Sequence, residues 1–253
     1  MMTAVALSGG VDSLVAAYRL KSSGRPVFGI HFMTGYEAFS EVEDNDSHPI
    51  RHIAEQLDIP VHIVNCRDPF NRIIVDYFVN SYRAGQTPNP CVLCNQRIKF
   101  GIVMKAAFQL GASRVATGHY ARVVEKGDRL QLLKATDATK DQSYFLSMLS
   151  AGQLSHSDFP LGTLTKKEVR QIAEKKGLRP LSRKDSQDIC FVNEGAYTDF
   201  LETRGGLSFK PGQIVDAGGN VLGLHQGLHH YTVGQRRGIN CPAEAPYYVL
   251  RLQ

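Results

Sequence analysis

Two sets of residues in this chain have the types and spacing for chemistry. The first is Ser8-Gly9-Gly10-Val11-Asp12-Ser13. Apolar Ala4-Val5-Ala6-Leu7 ahead of it reads as a buried strand, and residues 14–20 behind it read as a helix with an apolar stripe. Adjacent glycines at a strand-to-helix turn let the backbone curl and offer bare N–H groups. With the positive end of a helix behind them, these groups make an anion site. Ser8 and Ser13 add hydroxyls. Asp12 is the odd member, because a carboxylate beside phosphates repels its ligand unless a metal such as Mg²⁺ bridges the two. A serine-capped glycine turn would account for a bare Ser-Gly-Gly; the full hexapeptide between strand and helix points to a nucleotide. The second set is sulfur: Cys91 and Cys94, and far along the chain Cys190. Pro88 and Pro90 forbid regular structure through Asn89. The two thiols are therefore expected at a rigid turn, at the mouth of a helix over 96–110. There the helix start, Arg97 and Lys99 would all lower a thiol pKa. A C-x-x-C serves as a redox pair, half of a metal site, or a catalytic thiol with a neighbour. Two unrelated buried thiols are the plain alternative.

The elements that must position these residues follow an α/β pattern. After the first helix, residues 26–33 read as a second buried strand, with Met33 at the carboxyl end, where ligands sit in open α/β sheets. Residues 34–48 are polar and aperiodic. A helix is expected over 50–57, a third strand over 60–64, a buried apolar role for Cys66, and a helix over 68–83. Residues 114–120 read as a strand ending in Gly118-His119. A hairpin follows over 123–133, and Lys140-Asp141-Gln142-Ser143 caps a helix to Met148. Thr165 to Lys176 is a charged amphipathic helix with Thr165 and Glu168 placed for a capping box; its charge run reads as a solvated face. Beyond Gly205, turn residues crowd between short alternating runs, which is β-barrel texture. An apolar strand is expected at 247–253, with nothing after it to close a barrel.

Composition limits the classes. The 253 residues carry a net charge of +5, which permits a polyanionic partner without demanding one. No apolar run approaches the ~20 residues of a membrane span, and no basic region precedes an apolar core at the N-terminus. Five cysteines do not make a disulfide scaffold. A cytoplasmic protein with free thiols is the expectation.

Several motifs together resemble one family. The Walker pattern G-x-x-x-x-G-K-[ST] and its lysine are absent; Ser8–Ser13 instead resembles the PP-loop of the ATP pyrophosphatases, which split ATP into AMP and pyrophosphate. Thr87-Pro88-Asn89-Pro90 with Leu93-Cys94-Asn95, residues 116–120, residues 140–146, Asp185-Ser186-Gln187 with Ile189-Cys190-Phe191, and Tyr231–Arg236 look like the tRNA-specific 2-thiouridylases, in order through nearly the whole chain. The resemblance implies an α/β PP-loop domain with a parallel sheet, of the adenine nucleotide alpha hydrolase-like kind, over 1–142. A small, mainly helical tRNA-binding segment carrying Cys190 would follow over 143–204, and the start of an incomplete β-domain over 205–253. It implies ATP-dependent 2-thiolation of the wobble uridine of tRNA. ATP adenylates the uracil C2 oxygen with release of pyrophosphate; a persulfide on Cys190 supplies sulfur, and Cys94 attacks it to form a Cys94–Cys190 disulfide. By the same resemblance Ala6, Leu7, Ser8, Gly9, Gly10, Val11, Asp12, Ser13, Met33 and Gly118 meet ATP, with Mg²⁺. Asn89, Pro90 and Cys91 meet the target base, splayed out to reach them, and His119, Lys140, Asp141 and Gln142 meet the tRNA. The implied partners are tRNA and a sulfur-donor protein or sulfide, with no membrane, and a monomer is expected.

Two departures qualify the match. The common Asn-Pro-Asp is here Asn89-Pro90-Cys91, so a carboxylate gives way to a thiol, and the chain stops before the family's barrel would close. Cys91, Cys94 and Cys190 can also hold three corners of a [4Fe–4S] cluster, as in related iron–sulfur tRNA thiolases. A PP-loop ligase or amidotransferase would have no use for the cysteines. A tRNA-binding protein with structural Zn²⁺ would need a fourth ligand and would ignore ATP.

Overall fold

The computed structural model describes residues 1–37, 48–181, 189–192, 197–206, 210–242 and 245–253. Strand β1 (Thr3–Ala6) leads through the loop at 8–10 into α1 (Val11–Ser22), and β2 (Val27–Met33) follows. Next come α2 (Ile50–Gln56), β3 (Val61–Asn65) and α3 (Arg67–Phe70). A π-helical turn at Asn71–Val75 joins α3 to α4 (Asp76–Arg83). A second helix runs as α5 (Pro90–Cys94), a π-helical stretch Asn95–Val103, and α6 (Met104–Gln109). Strand β4 (Arg114–Ala116) precedes the hairpin of β5 (Ala121–Lys126) and β6 (Arg129–Lys134). A 3₁₀ turn at Ser143–Leu146, α7 (Ala151–Ser155), β7 (Ser157–Asp158) and α8 (Lys166–Lys175) complete the first half. Then follow α9 (Tyr197–Thr203), β8 (Gly212–Val215) and β9 (Val221–His225).

The chain divides into two compact units, Met1–Ile73 with Cys91–Cys190, and Ile74–Pro90 with Phe191–Gln253. In the first, five strands form a sheet in the order β3-β2-β1-β4-β7, every pair parallel. The strand order reverses between β1 and β4, and the crevice at the carboxyl ends of such a pair is where α/β sheets bind ligands. Both strands are short and almost wholly buried. Helix α1 fills one layer with Leu14, Ala17 and Leu20 against Val5, Leu7, Val27, Ile50 and Ile53. Its other side packs Val15 and Ala16 on Tyr120, Leu161, Val169 and Ala173. A buried leucine here is worth about 2–5 kcal/mol against alanine, so the loop at 8–13 is anchored by core on both sides. Arg114 fixes the sheet edge, its Nε and Nη2 donating to the two Asp158 oxygens at 2.8 and 2.9 Å.

In the second unit, Phe78 meets Tyr82, Phe191 and Phe200 in edge-on ring contacts, and Tyr82 stacks on Tyr197. Strands β8 and β9 pair antiparallel with a bulge at Ile214/Val215. Thr87 Oγ1 donates to Thr232 Oγ1 at 3.0 Å, which joins two of the sequence motifs.

Four expectations change. The thiols Cys91 and Cys94 stand not at a turn ahead of a helix but within its first turns, because Pro90 starts the helix itself, as proline does at a first helical position. The helix expected to Met148 is only the 3₁₀ turn 143–146. Residues 247–253 form no strand: Val249 instead accepts from the Gly234 N–H at 2.7 Å and donates to the Gln235 carbonyl at 3.0 Å, pairing with a turn rather than an extended edge. The argument from adjacent glycines narrows: Gly9 holds φ +83° and needs glycine, whereas Gly10 sits at φ −82°. Residues 38–47 of the polar stretch, the motif residues Asp185–Gln187, and Arg183-Lys184, a basic stretch expected with Lys140 and His119 against tRNA phosphates, lie outside the described residues.

Candidate active site

Leu7, Ser8, Gly9 and Gly10 connect β1 to α1. Their carbonyls and hydroxyls bond inward: Ser13 Oγ donates to the Gly10 carbonyl at 2.9 Å, and the Ser8 N–H and hydroxyl both reach Ser13 Oγ at 3.2 Å. Gly10 is the N-cap of α1 and makes no side-chain cap, so the first-turn N–H groups stay open to an anion. Buried His31, on β2, bonds the Leu7 carbonyl through Nδ1 at 2.7 Å and props the loop from below. Burial pulls the His31 pKa down, so it is neutral. Met33 is buried at the end of β2. Gly118, beyond β4, closes on the loop: a Cβ there would lie 2.8 Å from the Asp12 carbonyl carbon and 2.9 Å from the Ser13 nitrogen. Leu181 lies over Gly9 and donates its N–H to the Gly9 carbonyl at 2.9 Å.

Asp12 does not stand alone. Lys166 Nζ donates to both of its oxygens at 2.8 Å, and the Tyr120 hydroxyl donates to Oδ1 at 2.8 Å. Lys166 is 7 % exposed, a lysine that burial tolerates only when paired. Its place was legible in hindsight. Lys166, Val169 and Ala173 fall at i, i+3 and i+7, so the lysine shares the buried stripe of α8. The charge run of α8 is therefore not wholly a solvated face, because Lys166 turns inward with the apolar stripe. The capping box of Thr165 and Glu168 is formed as expected.

The sulfur set assembles in the same unit. Cys91, Cys94 and Cys190 lie close enough that Cys94 and Cys91 raise the Cys190 pKa electrostatically, and Cys94 also feels Cys91 and Cys66. Cys94 is buried, Cys91 half-buried and Cys190 exposed at its surface though crowded. The expected low pKa is not found. Burial pushes Cys94 up to about 11 and Cys190 to about 12, and raises Cys91 as well. The Lys99 charge opposes the rise at all three, as its position suggested, but desolvation wins. Buried Cys66, also at about 11, is the packed thiol expected. Among the described residues, only Glu202, His229 and His230 bring three potential metal-ligand atoms within 4.8 Å of one another. The sulfurs of Cys91, Cys94 and Cys190 do not.

The remaining positions are built as follows. Asn89 leads into α5, and Pro90 is its first residue. His119 is half-buried, bonded to Thr117 Oγ1 through Nδ1 at 2.7 Å and flanked by Phe100 and Phe159; burial holds its pKa well below the usual value, so it is neutral. Gln142 ties its segment to the exit of β4, accepting from the Tyr120 N–H at 3.0 Å and donating its own N–H to the Tyr120 carbonyl at 2.8 Å. Asp141 accepts from the Ala135 N–H and the Ser143 hydroxyl, each at 2.8 Å. Burial works against its charge, but these bonds outweigh it and lower the pKa. Lys140 is half-buried beside them.

The π-helical stretch that carries the thiol helix onward has its own supports. Gln153 Nε2 donates to the carbonyls of Gln96 and Phe100, both at 2.8 Å, and Asn95 Nδ2 donates to the Phe145 carbonyl at 2.9 Å. Wide turns of this kind recur at functional sites.

Comparison with known proteins bears on both sets. A family model described as the tRNA methyl transferase HUP domain matches residues 1–194, and one described as the tRNA methyl transferase PRC-barrel domain matches 198–253. The tRNA-specific 2-thiouridylase MnmA of Desulfosudis oleivorans is 50 % identical over 251 residues, covering 99 % of this chain and 69 % of that protein. The chain belongs to the tRNA-specific 2-thiouridylase family. The 2-thiouridylase of Geobacter metallireducens is 48 % identical over 257 residues, spanning 97 % of this chain and 70 % of its own length. A solved 4-thiouridine synthetase in complex with RNA and bound ATP is similar at a TM-score of 0.48 and 20 % identity, over 79 % of this chain and 49 % of that one. The 2-thiouridylase family thus accounts for the HUP-type parallel sheet and for the barrel-type C-terminal part. No helix among the described residues is long and apolar enough to cross a membrane.

Proposed function

We propose that this protein replaces the C2 oxygen of the wobble uridine of a tRNA with sulfur at the expense of ATP. What supports the reading most is the complete loop-and-thiol set in a chain half identical to a named 2-thiouridylase. The open N–H groups of α1, the Ser8 and Ser13 hydroxyls and the loop backbone hold the triphosphate. The uracil C2 oxygen attacks the α-phosphorus, pyrophosphate leaves, and the oxygen becomes part of a good leaving group. Asp12 is the carboxylate that would hold Mg²⁺ alongside phosphate oxygens; one carboxylate with waters suits that ion, which supplies charge neutralisation when bound.

Sulfur then arrives as a persulfide on Cys190: the Cys190 thiolate attacks the outer sulfur of a donor protein's persulfide, and the donor's own thiolate leaves. Cys94 loses its proton and attacks the Cys190 sulfur. The S–S bond within the persulfide breaks as the Cys94–Cys190 disulfide forms, and hydrosulfide departs with the electron pair. The hydrosulfide adds at C2 and expels AMP. An external dithiol reductant resets the disulfide. Asn89, Pro90 and Cys91 are assigned to the target base, and His119 and Lys140–Gln142 to the tRNA, with the segment 143–204 as tRNA-binding and the cytoplasm as the site of action. The family comparison lends no support to a [4Fe–4S] cluster at Cys91, Cys94 and Cys190, and a thiol–disulfide relay needs only Cys94 and Cys190.

The test is direct. The purified chain, ATP, unmodified tRNA and a persulfide donor are incubated, and the nucleosides are analysed by mass spectrometry. A uridine carrying sulfur for oxygen, formed only with ATP and accompanied by AMP and pyrophosphate, is expected. ADP and phosphate, or sulfur incorporation without ATP, would overturn the reading.

A further inference from the structure

The loop carries a contradiction: an anion site with a carboxylate at its second helical residue. In the structure that carboxylate is matched by Lys166, which comes from α8, more than 150 positions along the chain, and reaches it with one Nζ on both oxygens. Its stem is buried in the α1–α8 contact, where the side chain of Asp12 keeps 34 % of its exposure and that of Lys166 only 9 %. The Tyr120 hydroxyl fixes one of the same oxygens, and the Nζ lies 6.0 Å from the centre of that ring. The base of α8 is itself pinned: Thr165 caps it, and the Lys166 N–H donates to Asp137 Oδ2 at 2.9 Å. A lysine ordered at backbone and tip, buried along its length and held on the Asp12 carboxylate, costs desolvation that surface pairs do not. The return is charge balance beside the phosphate nest.

We propose that Lys166 is a positioning residue that neutralises Asp12, so that the loop admits a triphosphate before any metal is bound. The Walker-type lysine is missing from the loop; its electrostatic duty is met from α8, acting through Asp12 rather than on phosphate. This rests on the loop being the ATP site, and the experiment separates the two. Binding of a non-hydrolysable ATP analogue to the full chain is measured in excess EDTA and again in excess Mg²⁺. Wild type binds in both. If it binds in neither, the nucleotide reading itself fails. Lys166→Met loses at least about tenfold in EDTA and clearly less in Mg²⁺, where the ion takes over the neutralising role. Lys166→Arg stays near wild type in both. Asp12→Asn/Lys166→Met recovers analogue affinity in EDTA relative to Lys166→Met alone, because the charge that needed matching is gone. Equal losses with and without Mg²⁺, no loss, or no recovery in the double variant would overturn the proposal. Melting curves accompany each variant. A purely structural lysine would lower the melting temperature of Lys166→Met and of the double variant alike, with no metal-dependent split.

Discussion

The nucleotide loop and the thiol group both sit at helix starts in one unit, yet they are finished to different degrees. At α1 the side chains of the loop are bonded and the charge is balanced: Ser13 bonds Gly10, and Asp12 is matched by Lys166 and Tyr120. At α5 the start is a proline, and burial keeps three thiols protonated against the pull of Lys99. A helix N-terminus is therefore not one kind of environment. Where its N–H groups are left uncapped it suits an anion. Where it is packed over, desolvation outweighs its dipole, and a thiol there stays inert. The loop is ready before its ligand arrives, while the sulfur group waits for something to bring charge or a persulfide to it.

That contrast can be broken in several ways. The largest effect belongs to the thiols. Cys94→Ser should lower 2-thiolation by about 10³-fold or more, since the nucleophile is lost, while tRNA-dependent pyrophosphate release stays within a few-fold; parallel loss of both would place Cys94 in nucleotide handling. Cys91→Ser in the same assay, with iron and sulfide analysis, also decides the cluster alternative: retained thiolation removes any need for a third thiolate.

Next is Gly118→Ala. Its methyl would meet the backbone of Asp12 and Ser13 below 3 Å, so the loop must move. Analogue affinity should fall about tenfold or more, with a stability loss of about 1–3 kcal/mol as for other overpacked sites. An unchanged dissociation constant would mean that the loop tolerates displacement.

The pH behaviour sharpens the other side. With Cys94 near 11, only about one molecule in 10³ carries the thiolate at pH 8. The rate of Cys94 alkylation should therefore climb tenfold per pH unit from 7 to 10 and not level off below pH 9. Lys99→Met should slow it about two- to fivefold at pH 8, because the charge that favours the thiolate is gone. The folded state holds these protons more tightly than the unfolded one does. Stability is accordingly full below the ordinary thiol value of 9.0 and declines as pH rises through 11. The smallest effect is Thr165→Ala, which removes the α8 cap at a cost of about 1 kcal/mol in thermal unfolding.

Much of this was readable from residues alone. The strand–loop–helix around Ser8–Ser13, the hairpin at 121–134 and the α8 capping box depend on local rules that short segments state openly. What failed was of another kind. Cys91 and Cys94 were given low pKa values from neighbours in sequence, but their environment is set by burial, which nearby letters do not record. Lys166 was lost in a run of charges, although its phase with Val169 and Ala173 marked it. Its partner lies on another helix, and a single sequence carries no trace of that pairing. The expected strand at 247–253 had the right letters and no edge to join.

The wide turns at 95–103 fix the phase of everything upstream. An α-helix advances about 100° per residue, and a π-helical stretch holds its surplus residue by giving Gln96 and Phe100 carbonyls to Gln153. Removing one residue from that stretch would let it relax into ordinary α turns and swing the Cys91–Cys94 edge by about 100° relative to α6. The helix would survive such a deletion and the thiols would face the wrong way. On the proposed relay, the spacing of the helix, as much as the chemistry of its cysteines, decides where sulfur can be handed over.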